Sequence, residues 1–238
     1  MFDPKKLLDD LLGSQLPGTT AGQAVQMARD NPLAAGAIAA VLLGTEPGRK
    51  VSGAALKLGG LAAIGGLAYK AYQNYQNGRQ PAEPAQADEQ VLLPPPQDTE
   101  FHPSQAPQGE AEFALTLVRA MIAAARADGR IDDDEKRRIG EKLSLSGLDA
   151  EAESFLKAEL ESPLDLDALV SAARTEAQKV ELYTASRLAI DADTRAERGY
   201  LDLLAGRLGL ADQLGDHIEA TVTSSGAPQP APVPGSPW

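Results

Sequence analysis

From Glu110 to Val222 apolar residues return every three or four positions, and the pattern is cut at short intervals by capping residues and helix breakers. That spacing commits about half of the chain to short helices that must bury one face against each other, because no single one is long or apolar enough to stand alone. No run alternates apolar and polar residues in the manner of a strand. The fold class expected is all-α: a compact bundle of about seven helices over residues 111–222, roughly the size of a common domain.

The boundaries follow from the punctuation. Glu110 to Ala127 puts Phe113, Leu117, Met121 and Ala125 on one face, with Ala114, Val118 and Ile122 beside them. Asp132 with Glu135 three positions on predicts a capping box and a second helix through Ile139 and Leu143 to Gly147. A third runs from Asp149 with Phe155, Leu156 and Leu160 inward, and stops at Pro163. Asp165 caps a short fourth around Leu169. Thr175 with Gln178 opens a fifth through Val180, Tyr183 and Leu188, and Thr194 with Glu197 a sixth through Leu201, Leu204 and Leu208. Leu214, Ile218 and Val222 mark a seventh. Tyr183 and Tyr200 are expected within or at the edge of the core, and His217 at the surface or packed.

The remaining chain divides by composition. Residues 1–31 carry a short amphipathic pattern, Leu7, Leu8, Leu11 and Leu12, broken at Gly13 and too interrupted by Asp9 and Asp10 for a secretory signal. Residues 32–76 are Gly/Ala-rich. Residues 77–110 hold seven prolines and little to bury, which predicts a disordered, partly extended linker. Residues 223–238 read as a disordered tail. Charge is uneven: residues 1–80 hold eight basic and five acidic residues, a net of +3, against 14 and 29 beyond them, a net of −15. A basic end suits an anionic membrane surface. The acidic end argues against nucleic acid as a partner, since phosphate contacts need clustered Lys and Arg.

The Gly/Ala-rich segment has two apolar stretches, Leu33 to Gly44 and Val51 to Tyr69, the second interrupted by Lys57. A spanning helix needs about 20 apolar residues, so the segment predicts one weak spanning helix or two short helices forming a hairpin. Small residues recur at four-residue spacing: Gly36, Ala40, Gly44; Ala55, Gly59, Ala63; and Ala62 with Gly66. Such rows let helices self-associate in membranes. Tyr69, Tyr72 and Tyr75 with Lys70 have the character of an interfacial anchor. The alternative is a soluble flexible arm, which so many glycines would make a poor helix.

Absence of cysteine excludes disulfides, zinc–thiolate sites and a cysteine nucleophile, and two histidines argue against a histidine metal site or a Ser-His-Asp triad. No P-loop, nucleophile elbow or HExxH is present, and Gly59-Gly60 to Gly65-Gly66 lacks the strand and sheet of a dinucleotide fingerprint. What carries chemistry is acidic. Ala127-Asp-Gly-Arg-Ile-Asp-Asp-Asp-Glu135 lies between helices one and two, and Ile190-Asp-Ala-Asp-Thr-Arg-Ala-Glu197 between helices five and six, a weak internal echo with a one-residue gap. Asp128, Asp132, Glu135, Asp191 and Asp193 supply the oxygen ligands that Ca²⁺ or Mg²⁺ prefers. The EF-hand spacing is not met. The competing reading is structural: Asp132 and Glu135 complete a capping box worth about 1 kcal/mol, and Gly129 allows a tight turn. Capping accounts for those two residues and leaves Asp128, Asp191 and Asp193 together unexplained.

The alanine-rich helix, the Ala127 to Glu135 phrase and the second hairpin with Ile190-Asp-Ala-Asp193 and Glu197-Arg-Gly-Tyr-Leu201 together resemble the tellurite-resistance TerB-like fold, and more narrowly the bacterial domain-of-unknown-function family 533. The resemblance implies a seven-helix domain, an inner-membrane location and acidic turns proposed for metal contact; it implies no reaction. The functional expectation is a non-enzymatic, membrane-tethered TerB-like module, held in the bacterial inner membrane through residues 32–76 with its helical domain in the cytoplasm. It would bind a divalent cation or a protein partner, with an envelope or metal-stress role implied by the resemblance alone. The alternatives are a soluble protein–protein adaptor without a metal site, and an enzyme using Asp128, Asp132, Asp191 and Asp193 with a metal.

Overall fold

The computed structural model describes residues 3–11, 60–81, 93–127, 150–190, 192 and 194–225. Among these the chain forms eight α-helices, one short 3₁₀ turn and no strand, as the periodicity requires. The helices are α1 (Pro4–Leu11), α2 (Gly60–Gln76), α3 (Glu110–Ala125), α4 (Ala150–Glu161), α5 (Leu166–Ala172), α6 (Glu176–Leu188), α7 (Arg195–Leu208) and α8 (Asp212–Ser225). The second of the seven expected helices, and the tail from 226 onward, lie outside the described residues.

Local capping sets the ends. Asp165 accepts the Ala168 N–H at 2.8 Å to start α5, and Thr175 accepts the Gln178 N–H at 3.2 Å to start α6. Thr194 and Glu197 form a complete capping box on α7. Gln178 does not reciprocate on Thr175. It takes the Arg174 N–H at 2.8 Å instead, and its own amide donates to Gln108 at 2.9 Å. Gly209 ends α7 in the left-handed conformation, φ 71°.

α6 is the axis of the bundle. It packs on α2 and α3 with α7 and α8 against it, so that every residue from Ala177 to Leu188 is buried except Lys179. The direction of the α3–α6 pair follows from three contacts: Gln108 donates to the Ala172 carbonyl at 3.2 Å, Gln178 donates to Gln108, and Ser186 donates to the Ala120 carbonyl at 3.4 Å. The sequence separations, 64, 70 and 66, stay nearly constant from one end of the pair to the other. Antiparallel helices would change separation steadily, so α3 and α6 run parallel and in step.

Two expectations about the N-terminal half differ from what is observed, and a third takes definite form. Gly60–Gln76, the end of the segment expected to be membrane-associated, lies in the helical core: Leu61, Ala63, Ile64, Leu67, Ala68 and Ala71 are buried, with α2 packed on α8, α6 and α1. Tyr69 and Tyr72 do not form an outward anchor. Their rings meet Phe101 at 5.6 and 5.3 Å, and Tyr75 meets His217 at 6.2 Å. No described helix is long and apolar enough to cross a membrane.

Second, the expected linker over 77–110 is placed against the core from residue 93 onward, about half of its length. His102 caps a 3₁₀ turn at Pro103–Gln105, and Phe101 and Pro103 are buried. Prolines here pre-set the backbone of a strap across α2. Third, within 1–31 the amphipathic start forms α1, with Pro4 in the first turn, Leu7 buried, and Lys5 paired to Glu110 at 2.7 Å.

The strap explains one glycine. A Cβ on Gly65 would lie 2.8 Å from the Phe101 carbonyl oxygen, 3.0 Å from Glu181 Oε1 and 3.2 Å from Pro95 Cγ. The nearest atom is backbone and cannot step aside. Gly65→Ala is therefore expected to cost about 1–3 kcal/mol through overpacking. Gly199→Ala, on the exposed face of α7 with open space around it, is expected to gain roughly 0.5–1 kcal/mol from helix propensity. Urea unfolding of the two variants checks the opposite signs; a neutral Gly65→Ala would remove the strap contact from the account.

Candidate functional site

The sequence singles out two acidic turns. Asp128, Asp132, Glu135, Asp191 and Asp193 all lie outside the described residues. The residues that lead into the turns are described. α3 closes at Arg126, whose N–H caps back onto Ile122 and Ala123, and Ala127 follows half-buried against the core. α6 closes at Ala189, followed by buried Ile190 and half-buried Ala192. Because α3 and α6 are parallel and in step, both chains leave the bundle at the same end.

The second turn has an unusual backbone. Ala192 has φ 57°, the only non-glycine residue with positive φ among the described residues. For alanine this conformation costs about 1–2 kcal/mol, offset by surrounding contacts. Arg198 donates to the Ala192 carbonyl at 3.0 Å, and Arg187 donates to the Ile190 carbonyl at 2.5 Å. Glu197 is committed to the capping box. No group of three or more His, Asp or Glu that could hold a metal occurs among the described residues.

The polar residues that periodicity did not reveal are those buried on α6. Arg187, 3% exposed, forks onto Glu219 of α8 through Nε and Nη2, the latter at 2.6 Å from Oε1. Tyr183, beside this pair, is pushed up to about 12 by burial and then by the Glu219 charge. Tyr200 is likewise raised to about 12 by burial. Ser186 sits close enough to offset part of that rise, but its hydroxyl turns to Ala120, and the Tyr200 phenol is left without a full hydrogen bond. His217 is buried rather than at the surface.

Glu181 is strongly perturbed. It is 2% exposed, its Oε1 faces Gly65, and burial raises its carboxyl well above the ordinary value of 4.5. The folded protein then keeps this proton over a pH range in which the unfolded chain has lost it. The contribution is whole below about pH 4.5 and is lost as pH rises toward the folded-state value. Glu181→Gln, which keeps the shape without the titration, is expected to gain on the wild type steadily from about pH 5 upward. Paired denaturation curves across pH measure this; parallel curves would mean that Glu181 is ionised in the fold.

Comparison with known proteins adds a family. Residues 29–222 match the family described as protein of unknown function, DUF533. The chain is similar to an uncharacterised protein in the ampR 5′ region of Yersinia enterocolitica, 30% identical over 106 residues, a stretch that covers 44% of this chain and 76% of that protein. No solved structure matches it.

Proposed function

This chain belongs to the DUF533 family, and from that premise we propose that it is a non-enzymatic helical module that binds a divalent cation, Ca²⁺ or Mg²⁺, between its two acidic turns. The observation that supports the reading is the parallel, in-step packing of α3 on α6, anchored by the Gln108–Gln178 and Ser186–Ala120 contacts. Two helices of similar length that run side by side deliver the chain to both turns at one end of the bundle. Asp128, Asp132 and Glu135 then follow one helix, and Asp191 and Asp193 the other. Five carboxylates from two segments would supply the oxygen ligands that hard cations take. Capping alone does not require that arrangement. The resemblance of these turns to the TerB-like fold points the same way.

The membrane tether of this reading belongs to residues 32–59, because Gly60–Gln76 spends its apolar face on α6 and α8. A tether there leaves the folded part near the bilayer. Fractionation of the full chain beside a chain lacking 32–59 tests this; equal recovery in the soluble fraction would leave the adaptor reading in its place.

The cation reading is tested by calorimetric titration of the full chain with Ca²⁺, Mg²⁺ and Mn²⁺, beside the Asp128→Ala/Asp191→Ala variant. Saturable heat in the wild type and none in a variant of unchanged circular dichroism is the expected result. No heat and no thermal stabilisation at millimolar cation would reduce the acidic turns to caps and solvated charge.

A further inference from the structure

Between α3 and α5 lies a groove of about 260 Å³ that the cation reading does not use. Its floor is apolar, from Ile122 of α3 and Leu169 and Ala172 of α5, and its walls carry Arg119, Arg126 and Glu159. Two arginines face two carboxylates, Glu159 and Asp165, but they are not all paired. Arg119 is paired to Glu159 at 2.8 Å and lies over the Phe155 ring. Asp165, at one end, is tied to the N-terminus of α5 through the Ala168 N–H, where the helix dipole favours its charge. Arg126 donates only Nη1, to the carbonyls of Glu159 at 3.3 Å and Ser162 at 2.6 Å. Carbonyls satisfy donors without cancelling a charge, and among the described residues Nε and Nη2 of Arg126 make no hydrogen bond. The groove therefore combines an apolar floor with one half-buried guanidinium that, among the described residues, keeps a free N–H edge and has no carboxylate partner.

We propose that this groove binds a short alkyl carboxylate, its chain on Ile122, Leu169 and Ala172 and its carboxylate on Arg126. Size and charge select this class. The volume falls just below the range of about 300–1,000 Å³ typical for drug-sized ligands, which suits a short chain. A guanidinium edge matches a planar carboxylate through two parallel N–H donors. The four charged side chains of the lining sum to zero, so the ligand is selected by the free N–H edge of Arg126, which takes one carboxylate, whereas a phosphate dianion would bring a second negative charge beside Glu159 and Asp165.

The test titrates the full chain with octanoate, octanol and acetate, below micelle formation, following amide chemical shifts. Octanoate is expected to saturate, and octanol, with the same chain and no charge, to bind at least about tenfold more weakly, the worth of a charge-assisted hydrogen bond. Acetate, without the chain, is expected not to saturate. Arg126→Gln should bring octanoate down to the level of octanol. Since Arg126 also holds the last carbonyls of α4, a second variant, Ala168→Leu, fills the groove from an exposed position on α5 and should abolish octanoate binding in a protein that melts like the wild type. Octanol binding as tightly as octanoate, octyl phosphate binding more tightly, or unchanged octanoate affinity in both variants would each overturn the proposal.

Discussion

The burial of α6 on almost every side is the constraint on which the structure depends. A helix in that position would ordinarily be apolar all round, yet this one carries Gln178, Glu181, Thr184, Ser186 and Arg187 into the interior. Most of them impose something on a neighbouring element. Arg187 obliges α8 to present Glu219, and removing that carboxylate would leave the buried guanidinium without its counter-charge, at a cost below the about 3–5 kcal/mol of a fully buried pair because Glu219 is half exposed. Gln178 obliges the segment before α3 to present Gln108, which fixes the axial position of α3. Thr184 satisfies itself on the Val180 carbonyl at 2.8 Å. Glu181, whose carboxyl burial pushes well above its ordinary value, lies against the stretch of α2 where Gly65 lets the strap come close. The positions of α2, α3 and α8 are thus consequences of which polar atoms α6 had to satisfy.

Small residues serve the same end. A Gly/Ala-rich helix has two physical uses: close approach to another helix in a bilayer, or close approach to another helix in a dense protein core. Composition does not distinguish them, because both need the same missing side chains. What separates them is the partner. Phe101, in a segment whose prolines read as disorder, receives Tyr69 and Tyr72, and it lies some thirty positions along the chain from them. The rows ending at Ala63 and Gly66 continue into a helix whose alanines at 63, 68 and 71 are nearly inaccessible, so at least this part of the pattern is spent within the chain.

How much was legible follows from range. Caps are local, and Asp165, Thr175, Thr194 and Glu197 act at the positions where the spacing put them. Apolar faces are nearly as local: Phe113, Leu117, Met121, Leu204, Leu208 and Ile218 are buried as their periodicity demands. The buried charges were not legible, because Arg187 is distinguished from a surface arginine only by Glu219, 32 residues on. The candidate site stands between these cases. Residue types and the echo between two acidic turns are written in the chain, whereas their delivery to one end depends on a helix pair whose direction is set by side chains 64 to 70 positions apart.

That common end has a particular electrostatic character. Parallel helices point their C-terminal carbonyls the same way, so the negative ends of two macrodipoles meet where the sequence also places carboxylates. Arginine answers part of this. Arg187 takes the Ile190 carbonyl and Arg198 the Ala192 carbonyl, one from within α6 and one from α7. These bonds accompany the left-handed conformation at Ala192, and each occupies one lone pair of a main-chain oxygen of the kind that a calcium loop commonly lends to its ion. On the proposed reading, the aspartates on either side of Ala192 would offer a cation side-chain oxygen. A site so built would hold its ion through carboxylates drawn from both turns, which is why the proposed function rests on the pairing of α3 with α6 and not on either turn by itself.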